Sequence, residues 1–405
     1  MYSTRLIERS QSKVEAATKL TLRRYDIPEV MQRKSDLQRL VKEDGQLARD
    51  LNTEERAFIR NEQLLSMIDF RYWLTRYAHL LVDQGGLETF SSPWESQEIL
   101  LRFIARLEDE MVDMASRGES VDGILIFLHK ARQLGATALG RAISVHAMTA
   151  RHHTRAMAAS IDDDKVLELY DRDKLIIDNL PFYLRPSIGF DEKAQHIFFD
   201  KLGSRVIYQL GTQKSGLGQG RQFDVTHLTE CASWPYPGII EHDWMPTIPQ
   251  SLRAFALLES TAQGRGNWWH QQVKKLSEHR LRRWHLVFIP WYAELKKYRA
   301  TPPTDWKPSD EAMLHAQRVH ETSRKYVGRD VMLTKEQLYW WQSTRDEYYL
   351  SNNLAVFYTN YCATIEESFQ FRVKSAFGFE TLEYYRNRVQ EGTSYRIDTA
   401  QLNAS

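Results

Sequence analysis

Cysteine is nearly absent: Cys231 and Cys362 are the only two in 405 residues. That excludes a disulfide framework and leaves no cysteine-based metal spacing, so a reducing compartment is expected. A surplus of one charge is lacking too. The 54 Lys and Arg are balanced by 53 Asp and Glu, for a net charge of +1, so a polyanionic partner has to be met by a local patch and not by the whole surface. Long apolar runs are missing as well. The N-terminal MYSTRLIERSQSK has no signal-like core, and no stretch approaches the roughly 18 apolar residues of a membrane span. A soluble protein without membrane contact is expected. Proline is sparse, with RATPPTDWKPSD as its one cluster, and neither an internal repeat nor a low-complexity tract interrupts the chain.

The residues that are present follow two periods in turn. From Met1 to about Phe90, segments such as SDLQRLVKEDGQLARDL and EERAFIRNEQLLSMIDFRYWLTRYAHLL place apolar residues every three or four positions among charges, as amphipathic helices do. The part up to about residue 60 is also compatible with a mobile charged arm. QGGLETFSSPW breaks the pattern near Phe90, ahead of a further helical stretch, ESQEILLRFIARLEDEMVDMASRG. Short apolar runs then alternate with helical ones: GILIFLH (123–129), RAMAAS (155–160), HIFFD (196–200), RVIYQLG (205–211), DVTHLTE (224–230), RAFALLES (253–260) and WHLVFIP (284–290). Several are continuously apolar, as strands buried on both faces are, so the fold class expected is α/β with a central, mainly parallel sheet flanked by helices. From Trp291 the chain reads as helix again. The expected division is a helical region (1–90), an α/β core (91–290) and a helical lid or linker (291–405).

Three stretches carry chemistry. The first, LIFLHKARQLGATALGRAI (Leu125 to Ile143), runs from a strand through a polar loop into a helix. Gly135 and Thr137 keep the spacing of the second glycine and the hydroxyl in the phosphate-loop pattern G-x-x-x-x-G-K-[ST]. Ala136 stands where the lysine belongs, and Lys130 where the first glycine belongs. Backbone N–H groups of the loop, through Ala131, Arg132, Gln133, Leu134, Gly135, Ala136 and Thr137, can still cradle phosphates, and the Thr137 hydroxyl can ligate Mg²⁺. Lys130 has a long flexible stem and can fold back over the β- and γ-phosphates, with Arg132 as a second cation. Read by itself, the stretch is equally a strand-turn-helix with solvated basic residues.

The second stretch, FDVTHLTECASWP, ends a strand in Glu230, where a carboxylate can orient an attacking water. Thr229 precedes it where an acid would help to hold Mg²⁺, and its hydroxyl can reach a metal through a bridging water. The third, LLESTAQGRGNWW, runs from a strand into Ser260, Thr261 and Gly264. Small polar residues there lie at the carboxyl edge of a sheet, where ligands of open α/β folds bind and where a γ-phosphate can be sensed.

In order and spacing these stretches resemble the large terminase subunit of tailed bacteriophages, the ATPase that pumps DNA into empty capsids. HKARQLGAT resembles that family's deviant Walker A motif, some members of which carry the lysine at the start of the loop; VTHLTECASW resembles Walker B with its catalytic carboxylate, and ESTAQGRGNWW the coupling motif. Further similarity lies in SPWESQEIL, where Gln97 resembles an adenine-reading glutamine, in GLGQGRQFD, in FIPWY, and in FYTNYCATIEESFQF, so that it runs over roughly residues 65 to 375. The resemblance implies a P-loop NTPase fold of the additional-strand (ASCE) type, with the Glu230 strand beside the phosphate loop. It implies ATP and Mg²⁺ as cofactors, Lys130, Arg132 and Glu230 as catalytic residues, and Ser260, Thr261 and Gly264 as coupling residues. The partners implied are double-stranded DNA, the procapsid portal protein, a small terminase subunit and further copies of the chain in a ring, with action in the host cytoplasm while docked on the procapsid. Two departures matter. Thr229 replaces the usual acid or small polar residue, and full-length members continue into an RNase-H-like nuclease domain, whereas after EESFQF about thirty residues follow without a strand set or acidic triad. Nuclease activity is not expected of this chain.

DNA contact requires phosphate neutralisation by basic residues. The segment KKLSEHRLRRWHLVFIPWYAELKKYR offers Lys274, Lys275, Arg280, Arg282 and Arg283, with aromatic residues interleaved. The glycine-rich GTQKSGLGQGRQ offers Lys214 and Arg221 for DNA or as an arginine finger acting on a neighbouring subunit. Two other functions remain open from the residues: another nucleic-acid-stimulated P-loop ATPase such as a helicase-like remodeller, or a non-catalytic scaffold with a decayed ATP site.

Overall fold

The computed structural model describes residues 4–81, 86–191, 196–218 and 220–370, with backbone alone at 190 and 191. Phe371, at the end of the tail motif, and the residues that bear on a nuclease segment lie outside the described residues. Four helices open the chain: α1 (Thr4–Thr18), α2 (Ile27–Gln38), α3 (Thr53–Ile68) and α4 (Phe70–Tyr77). Asp26 caps α2 ahead of Pro28, and Asn52 with Glu55 forms a reciprocal cap on α3, which satisfies N–H groups that a helix start leaves unpaired. Val30, Leu37, Phe58 and Phe70 are buried in the same core as the central sheet. The charged composition allowed a loose arm, but the apolar stripe of each helix finds a partner and the region packs as a cap.

A short hairpin, β1 (His79–Leu81) and β2 (Leu87–Thr89), precedes α5 (Glu95–Ser116). The core then runs β3 (Ile124–Lys130), α6 (Ala136–Ala150), β4 (Arg155–Ser160), α7 (Asp163–Asp178), β5 (Gly189–Asp191), β6 (His196–Phe199), β7 (Ser204–Leu210), β8 (Val225–Leu228), β9 (Phe255–Ser260), α8 (Trp268–Ser277) and β10 (His285–Ile289). Eight of these strands form one sheet in the order β10-β3-β9-β8-β4-β7-β6-β5. From β10 to β7 all neighbours are parallel, and β6 and β5 turn back antiparallel at the far edge. Every residue of β3, β8 and β9 is buried, because helices cover both faces. Ile124, Ile126 and Leu128 point into the core beneath α6, while Leu125 and Phe127 point into the opposite one with Trp244 and Trp269. Burying a side chain such as Phe127 contributes about 1.5–3 kcal/mol.

All seven strands expected from apolar runs are present. The order corrects one expectation: the strand leading to Glu230 does not lie beside the phosphate-loop strand, because β9 is hydrogen-bonded to both β3 and β8 and separates them. The described residues end in α9 (Asp310–Val327), α10 (Lys335–Leu350), α11 (Leu354–Asn360) and α12 (Ile365–Ser368); α9 meets β10 through Tyr326 on Phe288 (ring centroids 4.7 Å), and Trp341, Phe357 and Cys362 are buried in the same core. Among the described residues no helix is long and apolar enough to cross a membrane.

Candidate active site

The parallel strands deliver Lys130, Ser160, Glu259 and Ser260 to one edge of the sheet, with Thr229 and Glu230 just beyond the end of β8. Between β3 and α6 the backbone turns twice into the left-handed region, at Gln133 (φ 56°) and Gly135 (φ 69°). A Cβ on Gly135 would come within 2.6 Å of Gln97 Nε2, so a side chain there would push the glutamine off the loop.

Groups from outside hold the carbonyls of this loop. Tyr298 donates its hydroxyl proton to Arg132 O (2.7 Å), Lys297 Nζ donates to Gln133 O (3.2 Å), Ser96 Oγ to Leu134 O (2.9 Å) and Gln97 Nε2 to Gly135 O (3.1 Å). The Ala131 and Arg132 N–H groups donate to Ile289 O and Asn360 O. By contrast, none of the N–H groups from Gln133 to Thr137 donates to an acceptor among the described residues. Five unpaired donors at a helix N-terminus, with their carbonyls turned away and pinned, form a concavity for an anion.

Lys130 and Thr137 reach the same point from the two ends of the loop, and both meet Glu259. Thr137 Oγ1 donates to Glu259 Oε1 (2.6 Å), and His227 Nε2 donates to the same oxygen (3.2 Å). Lys130 Nζ lies 3.8 Å from Glu259 Oε2, which accepts no hydrogen bond among the described residues. Burial raises the Glu259 pKa, but Lys130, then His227 and Thr137, outweigh it and hold the carboxyl at about 2. Burial also lowers the pKa of His227, against the pull of Glu259.

Glu230 is half-buried and sits in the left-handed region at φ 54°, a conformation that costs a non-glycine residue about 1–2 kcal/mol. The next loop keeps it there. Ser233 N–H donates to Glu230 O (2.9 Å), Ala232 N–H to Ser260 Oγ (3.0 Å) and Trp234 Nε1 to Thr229 O (2.9 Å). The Glu230 carboxylate makes no hydrogen bond or ion pair among the described residues, nor does the exposed Arg132 guanidinium. Ser260 therefore ties the end of β9 to the loop that presents Glu230, and Thr261 and Gly264 follow it as buried residues.

Other expected residues have different surroundings. The Thr229 hydroxyl donates to Ser160 Oγ on β4 (2.8 Å), so its proton is committed away from the loop. Gln97 is buried, with its Oε1 capping α5 at Trp94 N–H (2.9 Å) and its Nε2 on the loop, which makes it a brace for Gly135 whatever base it meets. The basic set lies elsewhere. Lys274 and Lys275 occupy the last turn of α8, and Arg280, Arg282 and Arg283 the approach to β10, at the sheet edge opposite the phosphate loop. Lys275 pairs with Glu241 (4.0 Å), Arg280 with Glu278 (2.8 Å) and Arg283 with Asp122 (2.8 Å), whereas Lys274 and Arg282 are exposed and without such partners among the described residues. Lys214 lies over the Tyr236 ring at 5.4 Å, and Arg221 is exposed. No cluster of three His, Cys, Asp or Glu suited to a metal occurs among the described residues.

Glu259, His227, Ser96, Lys297, Tyr298 and Asn360 are the site residues that motif reading passes over. Glu259 had a legible signal. A carboxylate on the buried face of the apolar run FALLES must have a partner, since an isolated charge there is expensive.

Neither a scan against protein-family models nor a search of curated proteins finds a match. A search of solved structures finds similarity to the large terminase ATPase domain of a Thermus phage, at 13% identity and a TM-score of 0.39, over 59% of this chain and 87% of that one. It also finds the HK97 bacteriophage large terminase, at 10% identity and a TM-score of 0.41, over 83% of this chain. The present chain spans 55% of that HK97 protein.

Proposed function

We propose that the chain is an ATP-hydrolysing motor of phage genome packaging, in which turnover drives translocation of double-stranded DNA. The observation that carries the nucleotide part is the loop itself: its carbonyls from Arg132 to Gly135 are pinned outward and its N–H groups from Gln133 to Thr137 are left open. Preorganised donors of this kind favour a polyphosphate without reorganisation at the moment of reaction. Lys130 turns from Glu259 to the phosphates, and the free Arg132 guanidinium stabilises charge on the γ-phosphoryl group. Glu230, with no partner among the described residues and held by a strained backbone, positions the water. Mg²⁺, when bound, neutralises phosphate charge, and Thr137 supplies a hard oxygen ligand suited to it. Ser260, which holds the Glu230 loop, transmits phosphate state along β9.

The packaging part rests on the order of the three motifs. It brings as partners DNA, a portal protein, a small terminase subunit and further copies of the chain in a ring, and the host cytoplasm as the place of action. ATP hydrolysis measured with and without double-stranded DNA tests it. The wild type is expected to turn over, faster with DNA, and Glu230→Gln to lose about 10²–10⁴-fold in rate, the usual range for a positioned general base. No turnover in the wild type, or full activity in Glu230→Gln, overturns the reading.

A further inference from the structure

In β8 and β9, Leu228 is in register with Leu258, so Thr229 and Glu259 follow side by side at the ends of adjacent parallel strands. Both share the sheet face of Val225, Phe255 and Leu257, the face that carries α6. Thr229 is turned to Ser160. Glu259 is turned to the phosphate loop, is only 1% exposed, and keeps Oε2 free of any hydrogen bond among the described residues while Oε1 receives the Thr137 hydroxyl proton. A buried carboxylate oxygen without a hydrogen bond is costly and calls for a partner that is not yet in place. Lys130, at 3.8 Å, supplies charge but is too far to donate a hydrogen bond. A carboxylate oxygen beside a hydroxyl lone pair is a hard oxygen donor set of the kind that divalent magnesium prefers.

The geometry points to Glu259 as the carboxylate that holds Mg²⁺ with Thr137, one strand over from the position where Thr229 leaves the acid missing, with Lys130 as its countercharge only while no nucleotide is bound. This rests on the nucleotide reading above. The reason for the exchange is electrostatic. When Lys130 leaves for the phosphates, Glu259 loses the countercharge that a buried carboxylate requires, and the cation that accompanies the nucleotide restores it. The carboxylate can serve from β9 because that strand is the direct neighbour of β3.

Binding of ATPγS, measured by calorimetry in Mg²⁺ and again in EDTA, tests this without relying on turnover. The wild type is expected to gain about tenfold or more in affinity from Mg²⁺, and Glu259→Gln to lose that gain while still binding in EDTA, since loss of even an outer-shell partner of a metal ligand typically costs about 10–100-fold. Adding Thr229→Asp to Glu259→Gln returns a carboxylate to the neighbouring strand end and is expected to recover part of the gain. Should Glu259→Gln fail to fold, Glu259→Asp keeps the charge for Lys130 and draws the carboxylate back by one methylene, so it is expected to fold and to lose most of the gain. A wild-type Mg²⁺ gain in folded Glu259→Gln or Glu259→Asp overturns the assignment. No ATPγS binding by the wild type in either medium overturns the nucleotide reading beneath it.

Discussion

Two pairs of buried charges lie on the α6 face of the sheet, and they are built differently. Arg141 and Asp173 are wholly buried; Arg141 Nε and Nη2 both donate to the Asp173 carboxylate, and the Tyr208 hydroxyl donates to the same group. Among the described residues Arg141 Nη1 is the one nitrogen or oxygen of these three side chains without a hydrogen bond. Lys130 and Glu259 are almost as buried, yet stand 3.8 Å apart without a hydrogen bond, and among the described residues Glu259 Oε2 and His227 Nδ1 have no such partner. A fork of charge-assisted hydrogen bonds fixes helix α6 to helix α7 and gives both oxygens of the Asp173 carboxylate a partner. A loose lysine pair keeps both ions available, and it lies where the loop leaves five N–H groups open. The difference separates a charge pair that holds the fold from one poised for exchange.

The largest effect expected from this contrast is on the closed pair. Arg141→Met strands Asp173 in the core and is expected to cost about 3–5 kcal/mol in chemical denaturation, the usual penalty for breaking a buried pair from one side. Lys130→Met also strands a buried carboxylate but should cost less, about 3 kcal/mol at the lower end of that range, because no hydrogen bond is broken and Glu259 keeps Thr137 and His227. The same variant should lose ATPγS binding, which Arg141→Met, where it folds, should retain. Equal stability losses for the two variants, or nucleotide binding unchanged in Lys130→Met, would break the distinction.

Much of this was legible in the chain itself, for a physical reason. Strands buried on both faces are written as apolar runs, so ILIFLH, RAMAAS and FALLES announce β3, β4 and β9 within a residue or two. Three-residue pieces such as β5 and the β1–β2 hairpin carry too few side chains to show a period. The loop was visible from Gly135 and Thr137, since spacing fixes where a glycine and a hydroxyl fall on a strand-turn-helix. What spacing does not carry is lateral order in a parallel sheet, because neighbours there are set by crossovers and not by sequence adjacency. For that reason Thr229 looked like a gap in the site, while Glu259, thirty positions further on, occupies the adjoining strand end. The grips on the loop from Tyr298, Lys297 and Asn360 were hidden likewise: Lys297 and Tyr298 are ordinary residues of a distant turn and Asn360 of the end of α11 until the fold brings them to a carbonyl or N–H.

The smallest predicted effect bears on how rigidly the open pair is held. Gly140 lies in α6, and a Cβ added there would meet His227 Cε1 at 2.5 Å, so the missing side chain is what lets the imidazole lie flat against the helix and donate to Glu259. Two opposing effects decide the sign of Gly140→Ala. Alanine favours a helix interior over glycine by about 1 kcal/mol, whereas overpacking a filled core costs about 1–3 kcal/mol. Since the ring is buried with sheet beneath it, it has little room to retreat, and a net loss of roughly 1 kcal/mol in the thermal or denaturant midpoint is expected. Displacing the ring also removes a hydrogen bond from Glu259 Oε1, so the Mg²⁺-dependent gain in ATPγS affinity should change while affinity in EDTA stays the same. A stabilised Gly140→Ala with an unaltered Mg²⁺ response would mean that the helix propensity term wins, that His227 moves freely, and that Thr137 and Lys130 alone hold Glu259 in place.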